Sequence, residues 1–140
     1  MIRRQIVRVR DVMRTEFDIV DGMITVQEAV NAMQHPDNKC LIVKKRDDDD
    51  EYGILLISDI ARKVLARDRA PERTNVYEVM QKPVIAVDPA MDVRYCARLL
   101  EQFEITRTPV IDNGKIVGIV SFTELVLRVM RETGKDGSEA

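Results

Sequence analysis

The sequence predicts an α/β chain of the α+β type, assembled from two copies of one β-α-β-β-α unit. Val9-Arg10-Asp11-Val12-Met13 returns as Val76-Tyr77-Glu78-Val79-Met80. Gly53-Ile54-Leu55-Leu56-Ile57-Ser58-Asp59-Ile60 returns as Gly118-Ile119-Val120-Ser121-Phe122-Thr123-Glu124-Leu125. In each half the signals follow one order: a short strand, a helix, two strands joined by a turn, and a second helix. Near-copies of this kind commonly pack face to face, which makes the cleft between them the first place to look for function.

The first half opens with a strand over Phe17 to Val20. Thr25-Val26-Gln27-Glu28 then reads as a capping box: the Thr hydroxyl accepts from the third amide while Glu28 reaches back to the cap. Val26, Ala29, Val30 and Met33 recur at helical spacing and should face the core. Cys40 to Val43 and Tyr52 to Ile57 are the next strands, and Ser58 is the predicted cap of a helix carrying Ile60, Ala61, Val64 and Leu65.

The second half repeats the order. Val84 to Val87 is its strand, Asp92 caps a helix with Val93, Ala97 and Leu100, and Pro109 to Ile111 pairs with Ile116 to Val120. The turn between them holds Asn113-Gly114, a hairpin signal because both residues tolerate positive φ. Thr123 is the predicted cap of the last helix, with Leu125, Val126, Val129 and Met130 facing inward. The repeats are expected over residues 7–69 and 70–132, with a surface linker from Arg67 to Asn75 and a disordered tail over 133–140. Each copy has only about 65 residues, near the lower limit for an independent core, so the halves should fold as one unit.

Composition excludes several function classes. With 45% hydrophobic residues and no Trp, the core must be aliphatic. Net charge is only −2, so no global field favours nucleic acid or an anionic membrane. No apolar run approaches the ~18 residues of a membrane span, and the N-terminus lacks the apolar segment of a secretion signal, which makes the cytoplasm the expected location. Two Cys and one His supply no zinc constellation; Cys40 and Cys96 read as small buried hydrophobes, and His35 as solvent-exposed. The acidic run from Asp47 to Glu51 suits a hard cation or a basic partner, and more simply a solvated, self-repelling turn.

Taken in order, the twin openers, the Thr106-Arg107-Thr108-Pro109-Val110 strand and the Gly-led turn into each second helix resemble a tandem pair of cystathionine-β-synthase (CBS) domains, a Bateman module. The resemblance covers about Val9 to Met130. It implies two units related by a pseudo-twofold axis and packed through their sheets, with two equivalent clefts, each binding AMP, ADP, ATP or a related adenosyl compound. It also implies homodimerisation through helices.

A carboxylate in the first turn of a helix stays ionised and keeps two oxygens for adjacent hydroxyls, as a ribose 2′,3′-diol presents them. Asp59 and Glu124 hold that position, although acids there also simply satisfy the helix terminus. By the resemblance, cleft one combines Leu56, Ser58 and Asp59 with Val84, Ile85, Ala86, Thr106 and Arg107. Arg107 is the phosphate candidate, because a guanidinium grips two oxygens at once. Leu56 departs from the family, standing where a Ser or Thr usually supplies a hydroxyl. Cleft two combines Ser121, Thr123 and Glu124 with Phe17, Asp18, Ile19, Asn38 and Lys39. It keeps the hydroxyl at Ser121 but has Glu in place of the usual Asp, while Lys39 offers phosphate a point charge and Asp18 either repels phosphate or offers only its backbone.

The resemblance thus implies a regulatory module that takes adenine nucleotide as a ligand and requires no cofactor and no metal, and no catalysis is expected, since no nucleophile-base pair or glycine-rich phosphate loop appears. It should pass its signal to a separate effector protein or a dimer interface. The alternative is a ligand-free interaction or dimerisation module with decayed sites.

Overall fold

The computed structural model describes residues 6–139, with side chains through Arg131. The chain is a mixed α+β protein forming two compact units. One runs from Glu16 to Val84 and is called here the Gly53 unit; the other, the Gly118 unit, joins the residues through Thr15 to those from Ile85 onward. Repeats and units therefore divide the chain differently, because each opener packs on the other repeat's glycine strand.

In the Gly53 unit, β1 (Ile19–Val20), β2 (Cys40–Val43) and β3 (Gly53–Leu56) form one sheet in that order. β1 runs parallel to β2, with Ile19 opposite Ile42. β2 and β3 are antiparallel, with Cys40 opposite Leu56 and Val43 opposite Gly53. α2 (Val26–Ala32) begins at the predicted capping box: Thr25 Oγ1 accepts from Glu28 N at 3.1 Å, and Glu28 Oε1 accepts from Thr25 N at 3.2 Å. Val26, Ala29, Leu41, Val43, Leu55 and Val64 close an aliphatic core with Val76 and Val79 of the second opener. The linker is pinned rather than loose, since buried Thr74 accepts Val26 N at 2.8 Å through its carbonyl.

The Gly118 unit is built on the hairpin of β4 (Arg107–Asp112) and β5 (Lys115–Ser121). Asn113 and Gly114 turn it with φ of 52° and 77°, as their residue types predict. α4 (Val93–Gln102) is capped by Asp92, whose carboxylate accepts from Arg94 N at 2.9 Å. α5 (Phe122–Glu139) follows β5 directly, and its backbone stays helical through positions 133–139, where sequence alone predicts a disordered tail; Ala140 lies outside the described residues. Val9 and Val12 of α1 (Val9–Val12) enter this core beside Val93, Cys96, Leu100, Val110 and Val120. Burial pushes the Cys96 thiol up to about 11, in keeping with a small core hydrophobe.

Four expectations are corrected. The strand predicted over Val84 to Val87 reduces to one parallel bridge between Val87 and Val110, because the next ladder donor would be Pro109, which has no N–H, and the Thr108 hydroxyl takes the Ile85 carbonyl in its place. Ile57 opens α3 (Ile57–Ile60) instead of ending β3, and a π-helical turn over Ala61–Leu65 continues it. Val126 and Met130 are 46% and 66% exposed: the stripe that packs inward is Phe122, Leu125 and Val129, and their neighbours are rotated off it. Val30 is exposed for the same reason beside buried Val26 and Ala29.

The opener motif can now be explained residue by residue. Both valines are buried in each copy. The acid between them is a helix-start acceptor: Asp11 accepts from Arg8 N at 2.9 Å, and Glu78 from Asn75 N at 2.7 Å. The methionine lies against the glycine of the other motif. A Cβ on Gly118 would stand 2.7 Å from Met13 Sδ, and one on Gly53 would stand 2.9 Å from Met80 Sδ, so a larger residue at either position would displace its methionine.

Candidate functional site

Asp59 and Glu124 occupy the same place in their units, the first turn of a helix as predicted, but neither directly follows its cap. α3 has Leu56 as its N-cap, without a side-chain acceptor, so Asp59 is the third helical residue and Ser58 is no cap. In α5 it is Ser121 Oγ that accepts from Glu124 N, at 3.3 Å, and Thr123 is exposed on the first turn. The capping hydroxyl thus survives at Ser121 and is lost at Leu56. In both units a carbonyl from the preceding loop replaces part of the cap: Lys39 O accepts Ile57 N at 3.1 Å, and Thr106 O accepts Phe122 N at 2.9 Å.

Both acids are buried, Asp59 at 3% exposure and Glu124 at 8%. A buried carboxylate needs donors on its oxygens, and here they come from within the same unit. Asp59 Oδ1 accepts from Arg62 Nη2 at 3.0 Å and Oδ2 from Gln81 Nε2 at 2.8 Å, with Lys63 Nζ 4.0 Å away. Glu124 Oε1 accepts from Arg14 Nε at 2.7 Å, and Arg128 Nε lies 3.6 Å from Oε2. Neither acid reaches back to its own N-cap amide, so helix capping is not what fixes its position.

The remaining residues of the first set divide between the units. Leu56 and Val84 are half-buried in the Gly53 unit, where Ser58 is exposed. Ile85, Ala86, Thr106 and Arg107 belong to the Gly118 unit, in which Arg107 pairs with Ser121 across the hairpin and its Nη2 donates to Thr106 Oγ1 at 3.3 Å.

In the second set, Ser121, Thr123 and Glu124 lie in the Gly118 unit and the others in the Gly53 unit. Asp18 turns its carboxylate inward, where its two oxygens accept from Gln34 N and His35 N, each at 2.9 Å. That side chain therefore holds the end of α2. Phe17 is half-buried and Ile19 exposed. Asn38 is buried and donates through Nδ2 to Glu16 O at 2.9 Å, and Lys39 takes a left-handed φ of 59° that leaves its side chain exposed.

Comparison with known proteins places this arrangement. The CBS domain family model matches residues 9–66 and 76–131. The chain belongs to the CBS domain family. This CBS pair is 32% identical over 123 residues to the CBS domain-containing protein YhcV of Bacillus subtilis, covering 87% of this chain and 85% of that protein. Another curated relative, an uncharacterized protein of Methanopyrus kandleri, is 30% identical over 113 residues, and the match spans 57% of its length. Among solved structures, the hexameric CBS-CP12 protein from bloom-forming cyanobacteria matches with a TM-score of 0.84 and 35% identity over 88% of this chain and 71% of that one. The CBS domain pair of protein MJ0100, solved with 5′-methylthioadenosine and S-adenosyl-L-methionine, shares the fold with a TM-score of 0.75 at 24% identity, covering 92% of this chain and 99% of that one.

Sequence reasoning passed over the residues that hold this CBS pair's two acids. Arg14 and Gln81 each directly follow an opener methionine, so the repeat itself marked them as equivalent positions. Their backbones do the same thing: Arg14 exchanges two hydrogen bonds with Ile119, at 2.8 and 2.9 Å, and Gln81 exchanges two with Ile54, at 2.9 and 3.0 Å. Two residues past the second opener, Lys82 Nζ meets Asp50 Oδ2 at 2.7 Å. Asp50 is thus drawn out of the acidic turn, and this contact, with Arg46 N behind it, holds its carboxyl well below the usual carboxylate range. Among the described residues no cluster of three or more acids, histidines or cysteines is arranged to hold a metal, and no helix is long and apolar enough to cross a membrane.

Proposed function

We propose that this CBS pair is a regulatory binding module for an adenosyl ligand such as AMP, ADP or ATP, and not an enzyme. The observation that carries the reading is the buried acid at the third position of α3 and again of α5, each with side-chain donors. A carboxylate that already accepts on its oxygens has the acceptor geometry that two adjacent ribose hydroxyls need. Leu56, Ser58 and Val84 accompany Asp59 in its unit, and Ser121 and Thr123 accompany Glu124 in the other. Arg107 is the proposed phosphate partner. That the MJ0100 pair holds adenosyl compounds agrees with this ligand class.

Occupancy would be reported to a separate effector protein or across a homodimer in the cytoplasm, with α5, whose Val126, Leu127 and Met130 are exposed, as the contact face. A ligand-free interaction module is the competing reading, favoured by the occupation of both acids from within the chain. Thermal-shift titration separates the two. A nucleotide at 100 times its Kd stabilises the fold by about 2.7 kcal/mol, whereas no shift with AMP, ADP, ATP or S-adenosylmethionine would leave the interaction module standing.

A further inference from the structure

We propose that Arg14 and Gln81 are specificity-determining latches: each must give up its hydrogen bond for a ribose diol to reach the acid, and their difference in charge makes the two sites unequal. The inference rests on the adenosyl reading above.

The two latches are built alike. The residue after the opener methionine is fixed by a double backbone bridge, Arg14 to Ile119 and Gln81 to Ile54. Its side chain therefore reaches the acid from a fixed backbone position. Glu124 receives a guanidinium at 2.7 Å, and Asp59 receives a neutral amide at 2.8 Å. The other partners come from the acid's own helix and are similar in kind: Arg62 and Lys63 at Asp59, and Arg128 at Glu124. Arg62 and Arg128 are half or more exposed, so they can swing into water at small cost. The clearest difference between the sites is the latch residue, carried by the strap, the bridged segment that directly follows each opener. Both latch bonds are charge-assisted through the carboxylate, and the guanidinium adds a charge–charge attraction that the amide lacks. A diol, itself a neutral donor, thus displaces Gln81 more readily than Arg14.

Displacement also has a mechanical consequence. Entry of the diol removes a side-chain anchor from the strap while leaving its backbone bridge and the methionine against glycine. The opener is then the element that senses whether the acid is occupied. Salt weakens the Arg14 latch and hardly the Gln81 amide, while it screens the pairs from each acid's own helix at both sites.

Adenosine is the probe, because it carries the diol without a charged phosphate. Calorimetric titration of Asp59→Ala isolates the Glu124 site, and Glu124→Ala isolates the Asp59 site. Exchanging the latches, Arg14→Gln in the first background should tighten adenosine binding about threefold, and Gln81→Arg in the second should weaken it about threefold. With Arg14 unaltered, raising KCl from about 0.05 to about 0.5 M should tighten the Glu124 site more than the Asp59 site, and equal changes at both would count against the charged latch. This salt arm requires no latch substitution and so stands even where an exchanged variant folds poorly. Adenosine binding that depends on the acids but ignores both exchanges and salt overturns the latch and leaves the adenosyl reading intact. No adenosine binding by the unaltered chain or any variant overturns both, and binding that appears only with Arg14→Gln supports the latch.

Discussion

Nε of Arg14 lies 2.7 Å from Oε1 of Glu124, joining the end of the first opener to a buried acid 110 positions further along the chain. Gln81 and Asp59 make the corresponding contact in the other unit. Arg14 is 39% exposed, so the pair should be worth only about 1 kcal/mol, less than a fully desolvated one. A double-mutant cycle of Arg14→Ala and Glu124→Ala, read by urea unfolding, should give a coupling of that size. A coupling indistinguishable from zero would mean that the contact orders nothing.

The openers are seated through glycine, and the two seats differ in tightness. An added Cβ at Gly118 meets Arg14 O at 2.8 Å as well as Met13 Sδ, whereas at Gly53 the backbone oxygen of Gln81 is 3.3 Å away. A methionine sulfur can move and a bridged carbonyl cannot. Gly118→Ala should therefore cost about 1–3 kcal/mol and Gly53→Ala distinctly less, by denaturant midpoint. Equal losses would contradict the role assigned to the Arg14 carbonyl.

Acid should loosen the chain through two aspartates. Hydrogen bonds from Arg94, side chain and then backbone, lower Asp92 to about 2, and those from Lys82 and Arg46 N lower Asp50 further. Acids depressed in the fold stabilise it above their unfolded value of about 3.9, and that stabilisation is lost as pH falls through the folded value. Thermal unfolding followed from pH 6 to pH 2 should show stability falling below about pH 4. Asp92→Asn and Asp50→Asn should flatten that fall while lowering stability at neutral pH. A slope unchanged by either variant would remove these groups from the acid response.

Periodicity and turn chemistry were enough to read most of the fold. The Thr25 to Glu28 capping box, the Asp92 cap and the Asn113-Gly114 turn are local signals, and each is realised as written. What misled was chemistry that depends on partners distant in sequence. Val84 to Val87 is apolar and reads as a strand, but the Thr108 hydroxyl claims the Ile85 carbonyl. Ser58 looks like a cap because Ser often is one, yet the helix begins earlier, with Lys39 O receiving its first amide. At the candidate site the two acids stand out in the sequence, while their partners Arg14 and Gln81 come from the openers. Only the repeat hints that those positions belong together, since nothing in the local sequence ties Gln81 to Asp59 or Arg14 to Glu124.

The central claim is that Asp59 and Glu124 accept the hydroxyls of an adenosyl ribose. It is tested most directly by calorimetric titration of AMP into the unaltered chain, Asp59→Ala and Glu124→Ala. The account predicts binding by the unaltered chain and a loss of about 1.5–3 kcal/mol at the corresponding site in each variant. AMP affinity and stoichiometry unchanged in both variants would contradict it.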